Sequence, residues 1–202
     1  RFSPSLNYIK KVINRKNFGK LCGANIYNGE YLPDYHRYED YRTTTMAQKK
    51  LGGGVINSQI HELDYCIYLF GKPKELMSKC GKFSNFQIDV EDYLNSLIFF
   101  KKDNIAVNLT LDFFQRPPVR QMFITGTKKS LKWDYYKNTV SITDYTSKKS
   151  SIKKFGKFNR NKMFIYQIKY FFKLLKNKKM KNISDIDNAI QAIKLSEKLK
   201  KN

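Results

Sequence analysis

Apolar and polar residues alternate most regularly between Ile105 and Phe113. Every second residue there is apolar, and the positions between them carry Ala106, Asn108, Thr110 and Asp112. A period of two is typical of a strand with one face on a core and the other face outward. The same pattern, bounded by turn residues, predicts strands over 20–28, 74–83, 92–101, 104–113, 120–126, 129–135 and 138–145.

Helical periodicity occupies the segments around these strands. It predicts helices over 5–16 and 55–70, a third from about residue 159, and a last one capped by Ser184. The core face of helix 55–70 would be Ile56, Ile60, Leu63, Ile67 and Phe70. The third helix carries the stripe Phe164, Ile168, Phe171 and Leu175. The inner face of the last helix would be Ile186, Ala189, Ile190 and Ile193.

The order of these elements indicates the fold class. Strands joined by short turns such as Lys102–Asn104 pair antiparallel. A run of strands followed by helices predicts an α+β fold, an open, predominantly antiparallel β-sheet with helices packed on one face. The other face must then be polar or be buried against a partner. We expect residues 1–202 to form a single domain, with 147–157 as a mobile loop.

The composition limits the kinds of site and partner. The net charge of +22 suggests nucleic acid or an anionic surface as partner, or simply a lysine-rich coat. No RNA-binding aromatic signature or basic recognition helix is present, so nucleic acid is not favoured; a phosphorylated or nucleotide-linked substrate fits the charge equally well. Three cysteines and two histidines show no zinc spacing, and we expect no metal site. Scattered thiols fit a reducing cytoplasm, and the apolar runs are too short to cross a membrane.

A run of three glycines, Gly52–Gly54, leads into the helix that carries His61. At about 100° per residue, Asn57, His61, Asp64 and Tyr68 form a polar stripe beside the core face. Such a stripe can face a ligand cavity, and a histidine with a pKa near neutrality can be the general base for a hydroxyl that is oxidised. The alternative, favoured on the stripe alone, is a boundary histidine hydrogen-bonded to Asp64 without chemistry.

Other candidate positions lie in loops and at strand ends. We predict that residues 31–42 form an ordered functional loop, in which His36 contacts substrate or is merely exposed. Two arginines, Arg116 and Arg120, could grip an anion or pair with acids. Glu91-Asp92 is best interpreted as a solvated strand end. The sequence contains no G-x-G-x-x-G, no G-x-x-x-x-G-K-[ST] and no G-x-S-x-G.

In this order the motifs resemble the C-terminal domain of the glucose–fructose oxidoreductase / inositol dehydrogenase / MocA family (Gfo/Idh/MocA). The segments concerned are RFSP, YLPDYHRYEDYR, LGGGVINSQIHELDYCIYLFG, VEDYLNSLIFF and LDFFQRPPVRQMFITGTKKSLKWD. The element Y-L-P with E-D-Y-R is similar to the branch associated with sugar and surface-polysaccharide metabolism.

The resemblance implies a glyceraldehyde-3-phosphate-dehydrogenase-like C-terminal fold whose open sheet face forms a homo-oligomer. It also implies NAD(P)-dependent oxidation or reduction of a hydroxyl on a sugar, cyclitol or sugar nucleotide, with His61 as the proton-transfer residue. Asn57, Tyr41, Arg42 and Arg120 are the candidate substrate contacts. Many members carry an aspartate three or four residues before the histidine, where this chain has Asn57 and Ser58. An amide can hydrogen-bond a hydroxyl but cannot accept its proton.

Members of the family begin with a dinucleotide-binding Rossmann domain and a Glu-Lys-Pro motif whose lysine is catalytic. Neither occurs within residues 1–202. We therefore expect the substrate-binding and oligomerisation part of an oxidoreductase, inactive by itself, with NAD or NADP bound mainly by the N-terminal domain. Two alternatives remain open: a non-catalytic binding or assembly module derived from this family, and a polyanion-binding protein.

Overall fold

The computed structural model describes residues 1–157, 159, 161–177, 179–180 and 182–201. One β-sheet organises them. Its strands are β1 Leu21–Gly29, β2 Pro73–Gly81, β3 Tyr93–Phe100, β4 Ala106–Asp112, β5 Val119–Gly126, β6 Lys129–Asp134, β7 Thr139–Asp144 and β8 Ser150–Lys154. They lie in the order β2-β3-β4-β1-β5-β6-β7-β8.

The first strand of the chain lies in the middle of the sheet. β1 runs parallel to β4, with Ile26 opposite Leu109, and antiparallel to β5, with Ile26 opposite Met122. The other neighbouring strands pair antiparallel. The expected open, predominantly antiparallel sheet is thus confirmed, with one parallel pair that the sequence pattern did not predict.

Helices cover one face of this sheet. They are α1 Pro4–Ile13, α2 Val55–Ser58, α3 Ile60–Phe70, α4 Asn161–Lys176 and α5 Ile186–Lys201. Trp133 of β6 joins two of them to the sheet, because its Nε1 donates to Ser5 Oγ at 3.1 Å and its ring packs edge-on against Tyr65. α5 packs against α3 and the outer strand β2, where Ser78 Oγ donates to the Leu199 carbonyl at 2.9 Å.

The expected helix 55–70 is divided at Gln59, whose φ of −106° and ψ of 28° interrupt the helix. Gln59 is buried, and its Nε2 donates to the Asp112 carbonyl at 3.1 Å. The predicted core face is nevertheless confirmed, since Ile56, Leu63, Ile67 and Phe70 are buried. The division therefore ties the helix pair to the end of β4.

Two sequence predictions near the C-terminus were wrong. Residues 147–157 contain the edge strand β8, which alternation could not reveal because all five of its residues are exposed. In α5, Ile186, Ile190 and Ile193 are exposed, whereas Ala192, Leu195, Ser196 and Leu199 are buried, because the face that packs on α3 and β2 lies about a third of a turn around the helix from the predicted face.

The N-terminal cap of α5 also differs from the prediction. Asp185, and not Ser184, occupies the capping position, since its Oδ1 accepts from the Asn188 N–H at 2.9 Å. The α4 stripe Phe164, Ile168, Phe171 and Leu175 is half exposed or more. None of the helices within the described part of the chain has the length and hydrophobicity needed to cross a membrane.

Candidate functional site

The glycine run sets the position of the helices that carry the candidate histidine. A Cβ on Gly53 would lie 2.5 Å from the Thr45 carbonyl oxygen, and one on Gly54 would lie 2.2 Å from Glu91 Oε1. Gly54 has a φ of +102°, a region that residues with a side chain rarely adopt. The backbone is held there by the Gly54 N–H, which donates to Met46, and the Val55 N–H, which donates to Glu91. The start of α2 is thereby fixed against the sheet.

His61 is exposed on the first turn of α3 and lines a cavity of about 290 Å³. The walls combine polar and aromatic side chains from the start of the chain, α3, β5, β6 and α4. They include Asp64, Tyr65, Arg120, Trp133, Tyr135 and Phe164. The lining therefore combines charged groups with aromatic rings.

A buried ion pair lies beneath this cavity. Arg120 Nε is 2.6 Å from Glu62 Oε1, and the two side chains are 16% and 1% exposed. The contact is an ion pair and not an aligned hydrogen bond, because Arg120 Nε and both Glu62 oxygens have no hydrogen-bond partner among the described residues. The guanidinium also lies 4.6 Å from the centre of the Tyr135 ring.

Burial governs the electrostatics of this pair. It raises the pKa of Glu62 above its ordinary value, and the neighbouring Arg120 charge opposes the rise. Burial acts to lower the pKa of Arg120, but the Glu62 carboxylate keeps that pKa above its usual range. Burial also raises the pKa of the Tyr65 phenol, whose oxygen has no hydrogen-bond partner in the part of the chain described. Arg120 is thus a fixed cation on the cavity wall, beside a neutral phenol.

Arg1 and Asp64 close another side of the cavity. Arg1 Nε and Nη2 donate to the two Asp64 oxygens at 2.9 and 2.8 Å. Arg1 Nη1 also donates to the Ile183 carbonyl, in the segment before α5. Arg1 therefore links Asp64 of α3 to the segment before α5.

The polar stripe does not face one cavity. Tyr68 Oη donates to Asn7 Oδ1 at 3.0 Å. Asn57 Nδ2 donates to the Gly52 carbonyl at 2.9 Å, and its Oδ1 accepts from Ser196 Oγ at 2.9 Å. Because α5 covers this part of α2, Asn57 lines a different cavity, with Glu91 and Lys200. Of the four stripe residues, only His61 and Asp64 line the cavity beside Arg120.

The candidates in the 31–42 loop also lie outside the histidine cavity. Tyr41 Oη accepts from the Gln87 N–H at 3.3 Å, and its ring packs on Phe86. Arg42 Nε donates to both Asp40 oxygens, and its Nη1 donates to Gln87 Oε1 at 2.9 Å. Their role as substrate contacts stays a prediction, as does that of Asn57.

The sequence analysis overlooked Glu62 and Tyr65. Both follow His61 closely, and an acid between the apolar positions Ile60 and Leu63 was the available signal for a buried pair. The described residues contain no group of three or more His, Cys, Asp or Glu placed to hold a metal. The cavity can therefore offer proton transfer at His61, charged donors at Arg120 and aromatic packing for a sugar ring.

Solved structures share this fold. A levoglucosan dehydrogenase in complex with NADH and levoglucosan has a TM-score of 0.85 at 14% identity, over 100% of this chain and 61% of that chain. UDP-N-acetylglucosamine 3-dehydrogenase from Acidithiobacillus ferrooxidans has a TM-score of 0.75 at 15% identity, over 98% of this chain and 57% of that one. An oxidoreductase from Agrobacterium radiobacter in complex with NAD+, L-tartaric acid and magnesium has a TM-score of 0.76 at 15% identity, over 98% and 58%.

At these identities the likeness to solved structures shows the fold alone, and this chain spans less than two thirds of the length of each. No curated protein matches the sequence. The model of the GFO/IDH/MocA C-terminal domain family matches residues 6–132. Because this match covers more than half of the chain, the protein belongs to the GFO/IDH/MocA C-terminal domain family.

Proposed function

We propose that this chain is the substrate-binding domain of an NAD(P)-dependent oxidoreductase acting on a hydroxyl of a sugar, cyclitol or sugar nucleotide. The observation that carries the proposal is the position of His61 on a cavity whose other walls are Arg120 and aromatic rings. The family match supports it, as do the sugar and sugar-nucleotide dehydrogenases among the structures of the same fold.

The proposed chemistry divides the work between the cavity and a cofactor. NAD(P)+ supplies the hydride acceptor and is held mainly by a separate dinucleotide-binding domain. As the hydride leaves the substrate carbon, His61 takes the hydroxyl proton, and the alcohol becomes a carbonyl. Arg120, a cation on the cavity wall, donates to sugar oxygens.

The test uses the protein with whatever residues precede Arg1 in its reading frame. Formation of NAD(P)H would be followed with a panel of sugars and sugar nucleotides. His61→Ala should lower kcat by about 10²- to 10⁴-fold, the usual contribution of a positioned acid–base group. His36→Ala is the matched control, because His36 is exposed and pairs with Glu39 away from the cavity. Full activity in His61→Ala, or no turnover with any sugar, would count against the proposal.

A second candidate is a non-catalytic binding or assembly module, favoured by one observation. Asn57, at the place where many members of the family carry an aspartate, is an amide bonded to Gly52 and Ser196. This candidate predicts saturable sugar binding, seen by ligand-observed NMR, with no change of NAD(P) in the protein that includes the upstream residues. Turnover that depends on His61 would exclude it.

We also propose that the sheet face opposite the helices joins copies of this chain into a homo-oligomer. This face carries amide, hydroxyl and aromatic side chains such as Asn25, Thr110 and Phe123, which suit a mixed interface. Multi-angle light scattering should show a dimer or larger species that Phe123→Lys weakens; a monomer at all concentrations would contradict it.

A cytoplasmic location and a role in polysaccharide metabolism complete the proposal, and three free cysteines support the cytoplasmic location.

A further inference from the structure

A second concave site lies at the opposite end of the sheet from His61. It is a cleft of about 440 Å³ where the C-terminus of α1, the start of β1 and the turns after β3 and β5 come together. Lys20 precedes β1, whereas Arg120 is paired with Asn28 near the end of that strand. At about 3.3 Å per residue, the two sites are roughly 25 Å apart. The cleft is therefore separate from the cavity of the proposed function.

Cations dominate the lining of this cleft. They are Arg15, Lys16, Lys20, Lys102 and Lys128. The lining contains one acid, Asp103, whose Oδ2 accepts from the Leu21 N–H at 3.4 Å. None of the five cations forms an ion pair with a described residue, in contrast to Lys129 and Lys200, which pair with Asp144 and Glu91.

The backbone draws these cations together. Gly19 has a φ of +85°, and a Cβ there would lie 2.2 Å from Thr127 Oγ1. The tight turn lets the Lys20 N–H donate to Thr127 Oγ1 at 3.1 Å, while the Lys128 N–H donates to the Phe18 carbonyl. Lys102 Nζ donates to Asn14 Oδ1 at 2.5 Å, which holds its ammonium at the rim.

Helix capping does not account for this concentration of charge. Cations are favourable at a helix C-terminus, but the end of α1 carries only about half a negative charge. Burial lowers the pKa of Lys102, and the nearby Asp103 opposes this. The charge of Lys102 in turn contributes to lowering the pKa of Lys10, after the larger effects of burial and Arg1. The five cleft cations therefore lie without an ion pair to a described residue, and an anionic ligand would supply a counter-charge.

The geometry points to an anion site in this cleft that takes a chain of two or more phosphates. Several flexible ammonium groups with one guanidinium suit the many oxygens of a polyphosphate. A single phosphate would contact only part of the lining. The source is an inorganic polyphosphate or the phosphate tail of a nucleotide, since both present the same linked phosphates. This inference does not depend on the proposed function.

The test is isothermal titration calorimetry of the full chain with inorganic tripolyphosphate and, in a second arm, ADP. We expect binding by both, tighter for ADP only if its nucleoside is also recognised. Lys20→Gln/Lys128→Gln should weaken binding by about three- to tenfold, because each exposed ion pair contributes modestly. Asp103→Asn should tighten it, since Asp103 is the one acid of the lining and asparagine tolerates its positive φ.

The matched control is Lys82→Gln/Lys137→Gln, which removes the same charge from two exposed lysines at the other end of the sheet. We expect this variant to bind within about twofold of the parent, because charges more than a Debye length away are largely screened at 0.15 M salt. An equal loss in both double variants would show that net charge alone attracts the anion, and would overturn the inference. Absence of binding by either probe would overturn it as well.

Discussion

Asn57 of α2 accepts a hydrogen bond from Ser196 of α5 at 2.9 Å. On its other side the amide donates to the Gly52 carbonyl at 2.9 Å. Asn57, at a position where the family often has an aspartate, therefore links the glycine turn to the last helix through these two hydrogen bonds. Its amide nitrogen is the atom that a carboxylate would lack.

Restoring the aspartate should consequently harm this chain. In Asn57→Asp, a carboxylate oxygen would face the Gly52 carbonyl in place of a donor. We expect a loss of about 0.5–1.5 kcal/mol in the free energy of unfolding, measured by urea denaturation, because a hydrogen bond is replaced by a contact between two acceptors. Asn85→Asp, at an exposed position between β2 and β3, should stay within about 0.5 kcal/mol. A variant as stable as the parent would show that Asn57 has freedom to reach a ligand.

We expect that removing one charge of the Glu62–Arg120 pair destabilises the fold more than removing both charges. Glu62→Gln leaves the Arg120 charge buried without a partner, and we expect it to destabilise the fold by about 3–5 kcal/mol. Glu62→Leu/Arg120→Met removes both charges and should cost less than either single change. Thermal and urea unfolding of the singles and the double would measure the coupling. A double variant that costs the sum of the singles would show that the charges do not interact.

The ion pair between Lys129 of β6 and Asp144 of β7 can be tested separately, at acid pH. Lys129 Nζ lies 2.8 Å from Asp144 Oδ2 and lowers the pKa of that carboxyl to about 2, with help from the Ser147 N–H. A pKa lower in the folded than in the unfolded chain adds stability above the ordinary value of 3.8, which is lost as the pH falls towards 2.

Carboxyl ¹³C shifts in an NMR titration would give this pKa directly. Lys129→Gln should move the Asp144 pKa up towards 3.8, because the largest cause of its depression is removed. Lys132→Gln removes an equal charge from an exposed neighbour on the same strand and should leave the pKa nearly unchanged. Equal shifts in the two variants would assign the depression to general charge.

The three glycines should not be equivalent. An added Cβ at Gly53 meets the carbonyl oxygens of Thr45 and Met46 at 2.5 and 2.6 Å, and backbone cannot move aside cheaply. Gly53→Ala should therefore cost about 3 kcal/mol. Gly52 has open space and a φ of +76°, so Gly52→Ala should cost only the left-handed strain of about 1–2 kcal/mol. Denaturant midpoints of the two variants would show the order, and the reverse order would refute this account of the turn.

Local periodicity predicted most of the fold. β4 was recognisable because each inward residue from Val107 to Leu111 lies opposite buried residues of β1 and β3. The sequence could not reveal the parallel pairing of β1, because strand order depends on contacts far apart in the chain. β8 was not predicted for a different reason: an edge strand that is exposed on both faces has no hydrophobic pattern in its sequence.

The candidate site was predictable only in part. His61 and Arg120 were recognised singly, and the structure places both on one cavity. The helical stripe could not show that α5 packs over Asn57, or that Arg1 forms an ion pair with Asp64. These contacts join residues more than sixty positions apart, and helical spacing carries no information about them.

The central position of β1 has a consequence for how the chain is made. β1 is synthesised well before either of its partners, which extend from Ala106 in β4 to Gly126 in β5. The strands after it form meanders of near neighbours, β2–β3–β4 and β5–β6–β7–β8, which can assemble as they emerge. β1 must then be inserted between these two sets of strands after both have formed. We expect residues 21–29 to stay unpaired, and open to proteases and chaperones, until β5 has been synthesised.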